Sequence, residues 1–337
     1  MITFYRHTSL LSRNTFAVPA TADTFVVSDD VAELTRELHQ LHRKNLLPRS
    51  MLVLGGGSNI LFVSDPCWVV HPDFKGIEME EEDEKTVRVR VYAGETWDDV
   101  VKWCVEHNYS GMENLSAIPG TVGACPVQNI GAYGQEAKDV IEQVEVFDIA
   151  AGKTCFFSRS DCAFSYRDSF FKHHRGEYLI VSVSFRLAKI FTPQLSYAGL
   201  QEEIGNRPVT LSTVREAVIN IRQRKLPDYT ILGNAGSFFK NPSVPVRQAC
   251  LLQQRHASLP LYPAAEGYRK VSAAWLIEQC GWKGVKKGNV GAYSSQPLIL
   301  VNYGNASGKE IMDFANEIMD SVEKKFDIRL ETEVHPM

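Results

Sequence analysis

The sequence has no excess of basic residues and no long apolar run. Its 36 lysines and arginines are nearly balanced by 40 aspartates and glutamates, which gives a formal net charge of -4. This balance lacks the basic surface typical of nucleic-acid-binding proteins, so we expect no nucleic-acid partner. No segment approaches the roughly 18 apolar residues of a transmembrane helix, and the N-terminus lacks the apolar core of a signal peptide. We therefore expect a soluble cytoplasmic protein without membrane insertion.

Cysteines and histidines are present, but they lack the spacing of disulfide frameworks or metal sites. The seven cysteines are scattered, odd in number and never spaced C-x-x-C, which predicts reduced thiols. The nine histidines form no H-E-x-x-H pattern. The adjacent pair His173 and His174 lies between Lys172 and Arg175, as is typical of an exposed loop. We expect no metal site.

The common nucleotide-binding and hydrolase motifs are also missing. The first glycine-rich loop, LGGGSNILF at residues 54–62, has Ile60 where G-x-G-x-x-G needs its third glycine, and no G-K-[ST] follows. Ser237, in GNAGSFFKNP at residues 233–242, lacks the flanking glycines of a G-x-S-x-G hydrolase, because Ala235 and Phe239 stand there. Rossmann, P-loop and nucleophile-elbow sites are therefore disfavoured.

Helical and strand patterns alternate along the whole chain, which predicts an α+β fold. Leu34, Leu38 and Leu41 recur at helical spacing, and Thr96 is the predicted N-cap of a second helix. Further helices are predicted at residues 214–225, 275–281 and 309–327, and strands at 87–95, 144–149, 178–187 and 329–337. The acidic run at residues 78–85 is typical of a solvated hairpin tip or loop. The length suggests two or three domains, with boundaries near residues 72, 225 and 328.

Two glycine-rich loops suit a bound diphosphate. The second glycine-rich loop, NLSAIPGTVGACPVQNIGAYGQE, spans residues 114–136. A loop of this length without structure of its own is uncommon in a compact domain unless it binds something. Both loops are rich in backbone donors and short of cationic side chains, which favours a diphosphate held mainly by amides. Composition alone leaves two other interpretations open. The first loop could be a simple tight turn between strands, or the two loops could be unrelated irregular segments.

Six motifs in a fixed order carry a resemblance to a known family. They are LGGGSN, IPGTVGACPVQNIGAYGQE, SYRDSFFK, KLPD, GNAGSFFKNP and ETEVHP. The first two resemble the FAD-binding domain of the p-cresol methylhydroxylase superfamily. The whole set, from about residue 14 to the C-terminus, resembles the UDP-N-acetylenolpyruvoylglucosamine reductase family. LSYAGL at residues 195–200 is similar to the type I form, which has an extra loop over the substrate.

The resemblance implies an FAD-binding p-cresol methylhydroxylase-type domain in two α/β lobes, residues 1–72 and 73–225. A C-terminal α/β substrate-binding domain, residues 226–328, would follow, and a strand at residues 329–337 would carry Glu333 back to the active site. The implied enzyme is a monomeric flavoprotein of peptidoglycan synthesis. NADPH would reduce non-covalently bound FAD, whose N5 hydride would pass to the methylene carbon of UDP-N-acetylglucosamine enolpyruvate. Protonation of the adjacent carbon, which bears the carboxylate, would then give UDP-N-acetylmuramate.

Three catalytic residues follow from the same resemblance. Arg167 would meet the substrate carboxylate, since a guanidinium can bind both oxygens in one plane. Ser237 would donate the proton, and Glu333 would assist protonation or stabilise the enol. Glu331, two residues away, is the fallback for Glu333, and Lys240 could assist Ser237.

The small residues Gly233, Ala235 and Gly236 are interpreted as clearance for the Ser237 hydroxyl, and Phe238 and Phe239 as apolar anchors of its loop.

Further binding residues implied by the resemblance fall into two sets. The expected flavin contacts are Gly55, Gly56, Gly57, Ser58, Asn59, Ser116, Pro119, Gly120, Gly123, Ala124, Asn129 and Gly131. The expected substrate contacts are Tyr166, Tyr197, Arg222, Lys225, Asn241 and Gln296. Two alternatives stay open: another flavin oxidase or dehydrogenase of the same fold, in which Cys125 could tether the flavin, and a non-enzymatic nucleotide-sugar sensor.

Overall fold

The structure, a computed structural model, describes residues 1–48, 50–197 and 199–337, and the chain folds into two compact units. Unit 1 comprises Met1–Thr8, Thr21–Gly57 and Pro66–Arg224. Unit 2 comprises Ser9–Ala20, Ser58–Asp65 and Lys225–Met337. Helices and strands are mixed along the chain, which confirms the predicted α+β class. The domain boundaries predicted near residues 72, 225 and 328 stay predictions.

The elements follow the predicted patterns closely where those patterns are long. The strands are β1 (Ile2–Ser9), β2 (Thr21–Ser28), β3 (Leu52–Val53), β4 (Ile60–Leu61), β5 (Trp68–Pro72), β6 (Ile77–Glu82), β7 (Thr86–Tyr92), β8 (Gly131–Ala132), β9 (Gln135–Glu136), β10 (Ile141–Asp148), β11 (Lys153–Ser158), β12 (Tyr178–Ala188), β13 (Ser243–Pro245), β14 (Leu261–Pro263), β15 (Tyr268–Val271), β16 (Lys286–Lys287), β17 (Val290–Ala292), β18 (Leu300–Asn302) and β19 (His335–Pro336). The helices are α1 (Val31–Arg43), α2 (Trp97–Glu106), α3 (Phe170–His173), α4 (Leu200–Ile204), α5 (Leu211–Lys225), α6 (Val246–Arg255), α7 (Ala273–Gln279) and α8 (Gly308–Phe326). No helix in this described part of the chain is both long enough and apolar enough to cross a membrane.

A four-stranded sheet in the order β1-β2-β5-β3 forms one part of unit 1. Strands β2 and β3 both pair with β5 in parallel, and helix α1 lies between β2 and β3 in the sequence. Asp30 caps α1 by accepting a hydrogen bond from the Glu33 N–H at 2.8 Å. Leu34 and Leu38 are buried, as their helical spacing predicts.

A five-stranded antiparallel sheet in the order β11-β10-β12-β7-β6 forms the other part of unit 1. Its strands alternate as half-buried strands should: in β7, Val87, Val89 and Val91 are buried, whereas Arg88 and Arg90 pair with glutamates. The predicted acidic hairpin tip lies only at residues 83–85. Residues 78–82 form most of the edge strand β6, since their carboxylates have cross-strand arginine partners.

Unit 2 is built around helix α8 and two small three-stranded sheets, β13-β15-β14 and β16-β17-β18. Ser307 and Glu310 form a capping box that fixes the start of α8, and the buried face of that helix includes Ile311, Ile318 and Val322. This helix covers almost the whole segment predicted from its periodicity.

The C-terminal segment is less regular than the sequence predicts. Strand β19 covers only two residues and pairs in parallel with β4, so that His335 stands opposite Ile60. Thr332 adds an isolated antiparallel bridge to Phe239, and the backbone bends at Glu333 and Val334. A continuous strand over residues 329–337 is therefore wrong, because the bend directs the two halves of this segment to different partners.

Candidate functional site

Within unit 1, the glycines of the first glycine-rich loop approach the second loop so closely that side chains are excluded. A Cβ atom on Gly55 would lie 2.4 Å from the Thr121 Oγ1 atom, and one on Gly56 would lie 2.9 Å from the Gly120 Cα atom. Both separations are shorter than real Cβ contacts, so only glycine fits at these positions. The structure thus brings together the parts of both loops that the sequence predicts as a flavin-binding site.

The same loops present backbone donors that the protein itself does not use. Among the N–H groups that donate no hydrogen bond within the described residues are those of Gly55, Gly56, Gly57, Gly120 and Thr121. Gly123 and Ala124 instead donate to the carbonyl oxygens of Ala93 and Thr121. Unpaired amides are costly unless water or a ligand accepts from them, and clustered amides bind anions. This donor surface fits the diphosphate of the expected FAD.

Two further groups in this region lack partners. The side-chain oxygens of Asn114 and Gln135 are buried and, among the described residues, have no hydrogen-bond partner. Both lie in the second glycine-rich loop, and neither is among the site residues predicted from the sequence. Buried acceptors of this kind are normally satisfied, so they are further candidates for contact with a bound molecule.

Helix α2 anchors the start of the second glycine-rich loop. The Ala117 N–H donates to the Asp98 carboxylate at 2.5 Å, and Arg215 binds the same carboxylate through two bonds of 2.6 and 2.9 Å. Burial disfavours the ionised form of Asp98, but the bonds from Arg215 and Ala117 outweigh it and lower the pKa of the carboxyl. The buried Ser116 hydroxyl donates to the Glu113 carbonyl at 2.6 Å, so its proton is used within the loop.

Arg167 lies in a tight turn that directs its guanidinium to the second glycine-rich loop. Ser165 and Asp168 exchange backbone hydrogen bonds of 3.0 and 3.3 Å, and Arg167 between them has a left-handed φ of 56°. Its Nη2 atom donates to the Gly131 carbonyl at 2.8 Å, and its guanidinium carbon lies 5.2 Å from the centre of the Tyr166 ring. Three predicted site residues, Tyr166, Arg167 and Gly131, are therefore in contact.

Tyr133, which is not among the residues predicted from the sequence, interacts with two residues that are, Tyr197 and Arg222. Its ring packs edge-on against Tyr197 at 4.9 Å between centroids. Burial, opposed by the charge of Arg222, raises the pKa of Tyr133 to about 12. Burial lowers the pKa of Arg222, whose guanidinium forms no hydrogen bond or ion pair with any described residue. Of the segment LSYAGL, Ala198 lies outside the described residues.

In unit 2, the loop that carries Ser237 is held by Asn234. The Asn234 amide donates to the Leu232 carbonyl at 2.8 Å and accepts from the Gly236 N–H at 3.0 Å. Ser237 itself is half-buried and bridges Ile299 in an antiparallel pair. These contacts hold the backbone of the turn at Ser237.

The glycines beside Ser237 serve purposes other than simple clearance. A Cβ atom on Gly233 would lie 2.3 Å from the Phe16 carbonyl oxygen, so this glycine allows the chain to pack on itself. Gly236 has no heavy atom near its Cβ position, but its φ is 70°. Phe238 and Phe239 are fully buried, as expected of anchors.

Glu333 is tied to the Ser237 loop through the backbone. Its N–H donates to the Phe238 carbonyl at 2.7 Å, and its carbonyl accepts from the Asn59 amide at 3.2 Å. Glu331 differs: its side chain is 74% exposed and pairs with the Lys240 ammonium at 3.1 Å. Glu331 thus lies in an exposed ion pair, whereas the backbone of Glu333 contacts the Ser237 loop, and Lys240 has a partner other than Ser237.

The remaining substrate candidates of unit 2 occupy different environments. The Asn241 side chain accepts from the Ala273 N–H at 3.0 Å, at the start of α7. The Gln296 side-chain oxygen is buried without a partner among the described residues, and its backbone carbonyl accepts from the Ile299 N–H at 3.0 Å. Lys225 is exposed at the end of α5. No hydrogen bond among the described residues joins the side chains of these three residues to Ser237.

Comparisons with known proteins bear on the whole chain. Residues 227–337 match the family model "UDP-N-acetylenolpyruvoylglucosamine reductase, C-terminal domain", and residues 22–158 match the model "FAD binding domain". A UDP-N-acetylenolpyruvoylglucosamine reductase of Amoebophilus asiaticus is 46% identical over 331 residues, which cover 97% of each chain. The chain belongs to the UDP-N-acetylenolpyruvoylglucosamine reductase family.

Other members of this family agree with the assignment. A reductase of the same name from Xylella fastidiosa is 43% identical over 95% of this chain and 92% of its own. The crystal structure of the Thermus caldophilus reductase has the same fold, with a TM-score of 0.67 at 23% identity over 100% of this chain and 98% of that one.

Family membership confirms the oxidoreductase class, and the second family model confirms the FAD-binding domain that the motifs predicted. It also supports the expected cofactors, FAD with NADPH as reductant.

Proposed function

We propose that this protein reduces UDP-N-acetylglucosamine enolpyruvate to UDP-N-acetylmuramate, as a cytoplasmic monomer in peptidoglycan synthesis. The observation that carries the proposal is the placement of Arg167. Its guanidinium lies 2.8 Å from the Gly131 carbonyl, on the same glycine-rich loop that supplies unpaired amides. The second glycine-rich loop thus holds the guanidinium of Arg167, which can bind a carboxylate, and also supplies N–H groups that can bind a diphosphate.

The amides of both glycine-rich loops would hold the diphosphate of FAD, in particular those of Gly55, Gly56, Gly57 and Gly120. Bound FAD, reduced by NADPH, would supply the hydride that passes from N5 to the methylene carbon of the enol ether. The protein offers no thiolate for a covalent flavin from Cys125, because burial raises the pKa of this thiol well above its ordinary value. This disfavours a tethered-flavin oxidase.

Arg167 would bind the substrate carboxylate and stabilise the negative charge that develops when the enol ether accepts a hydride. A guanidinium fixed by its surroundings stabilises such charge without reorganising during the reaction. Arg222, whose charge has no ion-pair partner among the described residues, is suited to the substrate diphosphate, together with Lys225. Tyr166 and Tyr197 would line the path of the substrate.

Ser237 would donate the proton to the carbon that bears the carboxylate. The hydrogen bonds of Asn234 hold the backbone of the turn at this residue, and general acid catalysis requires a positioned group. Glu333 would stabilise the enol or assist the proton transfer. Asn241 and Gln296 would contact the nucleotide, and the unpaired Gln296 oxygen offers an acceptor for a substrate N–H.

The test is oxidation of NADPH by the purified yellow protein with and without UDP-N-acetylglucosamine enolpyruvate. We expect rapid oxidation only with the enolpyruvate, one equivalent of UDP-N-acetylmuramate per NADPH, and flavin in the supernatant after acid precipitation. Size-exclusion chromatography should give the mass of one chain. NADPH oxidation that does not depend on the enolpyruvate would overturn the proposal in favour of another flavin oxidase or dehydrogenase.

A further inference from the structure

A buried asparagine connects the second glycine-rich loop to the turn that carries Arg167. The Asn129 amide donates to the Ser165 carbonyl at 2.9 Å and to the Glu136 carboxylate at 3.0 Å. Its side-chain oxygen accepts from the Lys138 N–H at 3.0 Å. We propose that Asn129 is a positioning residue, which sets the direction of the Arg167 guanidinium without contacting the substrate.

The turn needs such support because its backbone conformation is unfavourable. Arg167 has a φ of 56°, a conformation that side chains other than glycine and asparagine rarely adopt. The bond that closes the turn, from the Asp168 N–H to the Ser165 carbonyl, is long at 3.3 Å. The shorter bond from Asn129 goes to the same carbonyl oxygen. A strained conformation persists only where its surroundings enforce it, and Asn129 provides that enforcement.

The contacts form a closed ring. Asn129 binds Ser165, the chain leads from Ser165 to Arg167, and Arg167 donates to Gly131, two residues beyond Asn129. The turn and the loop therefore hold each other at both ends. On the other side, the Lys172 ammonium donates to the Arg167 carbonyl at 2.7 Å. Hydrogen bonds thus hold Arg167 both at its backbone carbonyl and at its guanidinium.

Asparagine is the residue type suited to this position. The Asn129 side chain is fully buried, and its backbone φ is 47°, which asparagine tolerates better than most residues. Both amide protons have acceptors in the protein, so the side chain has no donor left for a ligand. An aspartate would keep the acceptor for Lys138 but would place a carboxylate against the Ser165 carbonyl and the Glu136 carboxylate.

This inference rests on the proposed role of Arg167, and the experiment separates the two. Asn129→Gly keeps the left-handed backbone and removes the side chain, and Asn108→Gly, an exposed asparagine with a φ of 59°, is the matched control. All rates are measured per bound flavin, because Asn129 is also among the flavin contacts expected from the sequence, and flavin reduction by NADPH per bound flavin should be normal in both variants. Oxidation of the reduced flavin by the enolpyruvate substrate should fall about 10- to 100-fold in Asn129→Gly alone, because small displacements of a catalytic group have effects of this size.

A double-mutant cycle tests whether the effect acts through Arg167. In an Arg167→Ala background, Asn129→Gly should cause no further loss, since there is no guanidinium left to position. Losses that multiply would overturn the inference, as would full turnover in Asn129→Gly. If wild type itself does not turn over the enolpyruvate, or Arg167→Ala has no effect, the proposed function or the role of Arg167 fails instead.

If Asn129→Gly does not fold, Asn129→Asp provides a second test of the same inference. The new carboxyl, placed beside two acceptors, should have a raised pKa and should donate a hydrogen bond only when protonated. The activity of Asn129→Asp relative to wild type should therefore increase as the pH falls. A pH-independent ratio, with a normal melting temperature, would contradict a positioning role that depends on this donated hydrogen bond.

Discussion

The backbone N–H of Glu333 donates a hydrogen bond to the carbonyl oxygen of Phe238 at 2.7 Å, next to Ser237 in the chain. Glu331, only two residues earlier, instead pairs with Lys240 and is mostly exposed. Two glutamates that the sequence could not separate on residue type alone thus have different surroundings. The difference gives a direct test of which carboxylate serves the reaction.

Glu333→Gln should lower kcat by about 10²-fold or more, the scale of a lost acid–base group, because the amide cannot assist proton transfer. Glu331→Gln is the matched control and should leave kcat almost unchanged. Steady-state kinetics with the enolpyruvate substrate measures both. Equal losses in the two variants would show that Glu333 has no special role.

Ser237→Ala should reduce the flavin with NADPH at the normal rate but should transfer the proton to the substrate at least about 10²-fold more slowly. Ser243→Ala, at an exposed serine of the same unit, is the control. Stopped-flow absorbance of the flavin separates the two half-reactions, and a solvent-isotope effect reports the proton step. Because Lys240 is paired with Glu331, Lys240→Met should change the proton step little. An unchanged proton step in Ser237→Ala would remove this residue from the mechanism.

Gly233→Ala and Gly236→Ala should destabilise the protein to different degrees. At Gly233 the added methyl group would overlap the Phe16 carbonyl oxygen, 2.3 Å away, and overpacking of this kind costs about 3 kcal/mol. At Gly236 there is space, and the left-handed φ of 70° alone should cost about 1 kcal/mol. Urea unfolding measures both free energies. A reversed order would mean that conformation, rather than contact, limits this loop.

Asp98→Asn should destabilise the protein at neutral pH by about 2 kcal/mol, because it breaks a half-buried bidentate pair with Arg215. The folded-state pKa of Asp98 is lowered, so its carboxylate stabilises the fold above the unfolded pKa of about 3.9. That contribution is lost as the pH falls through the folded-state pKa. The difference in unfolding free energy between wild type and Asp98→Asn should therefore shrink below about pH 4. Asp99→Asn, at an exposed neighbour, is the control and should change the unfolding free energy little.

The thiols should react in an order set by exposure. Cys67 and Cys250 are exposed and should react first with a thiol reagent such as DTNB. Cys104, Cys125 and Cys162 are buried, burial raises the pKa of each, and they should react only after unfolding. Mass spectrometry of peptides from partly labelled protein identifies the sites. Early labelling of Cys125 would reopen the possibility of a covalent flavin.

Local sequence signals predicted the long elements well. Helix α8 begins where Ser307 and Glu310 form a capping box and continues as long as its apolar period does. The glycine-rich loops were also visible, since glycine is required where two backbones nearly touch. Signals within a few residues were sufficient in both cases.

The rest depends on partners distant in the chain. The C-terminal segment bends because β4 and the Ser237 loop each bind one half of it, and neither partner is adjacent in sequence. Tyr133 and Arg167 have positive φ values, which the residue types in their motifs do not predict. The contacts of Asn129 and the ion pair of Lys240 likewise became visible only with the three-dimensional structure.

With the catalytic role proposed for Arg167, its left-handed backbone places this residue where selection for folding and selection for catalysis oppose each other. Glycine at position 167 would relieve the turn and would enrich in any library screened for thermostability or expression. The same replacement removes the guanidinium that donates to the Gly131 carbonyl. Directed evolution that selects only for stability should therefore favour variants that have lost activity through replacement of Arg167. Position 167 should be kept as arginine in such experiments.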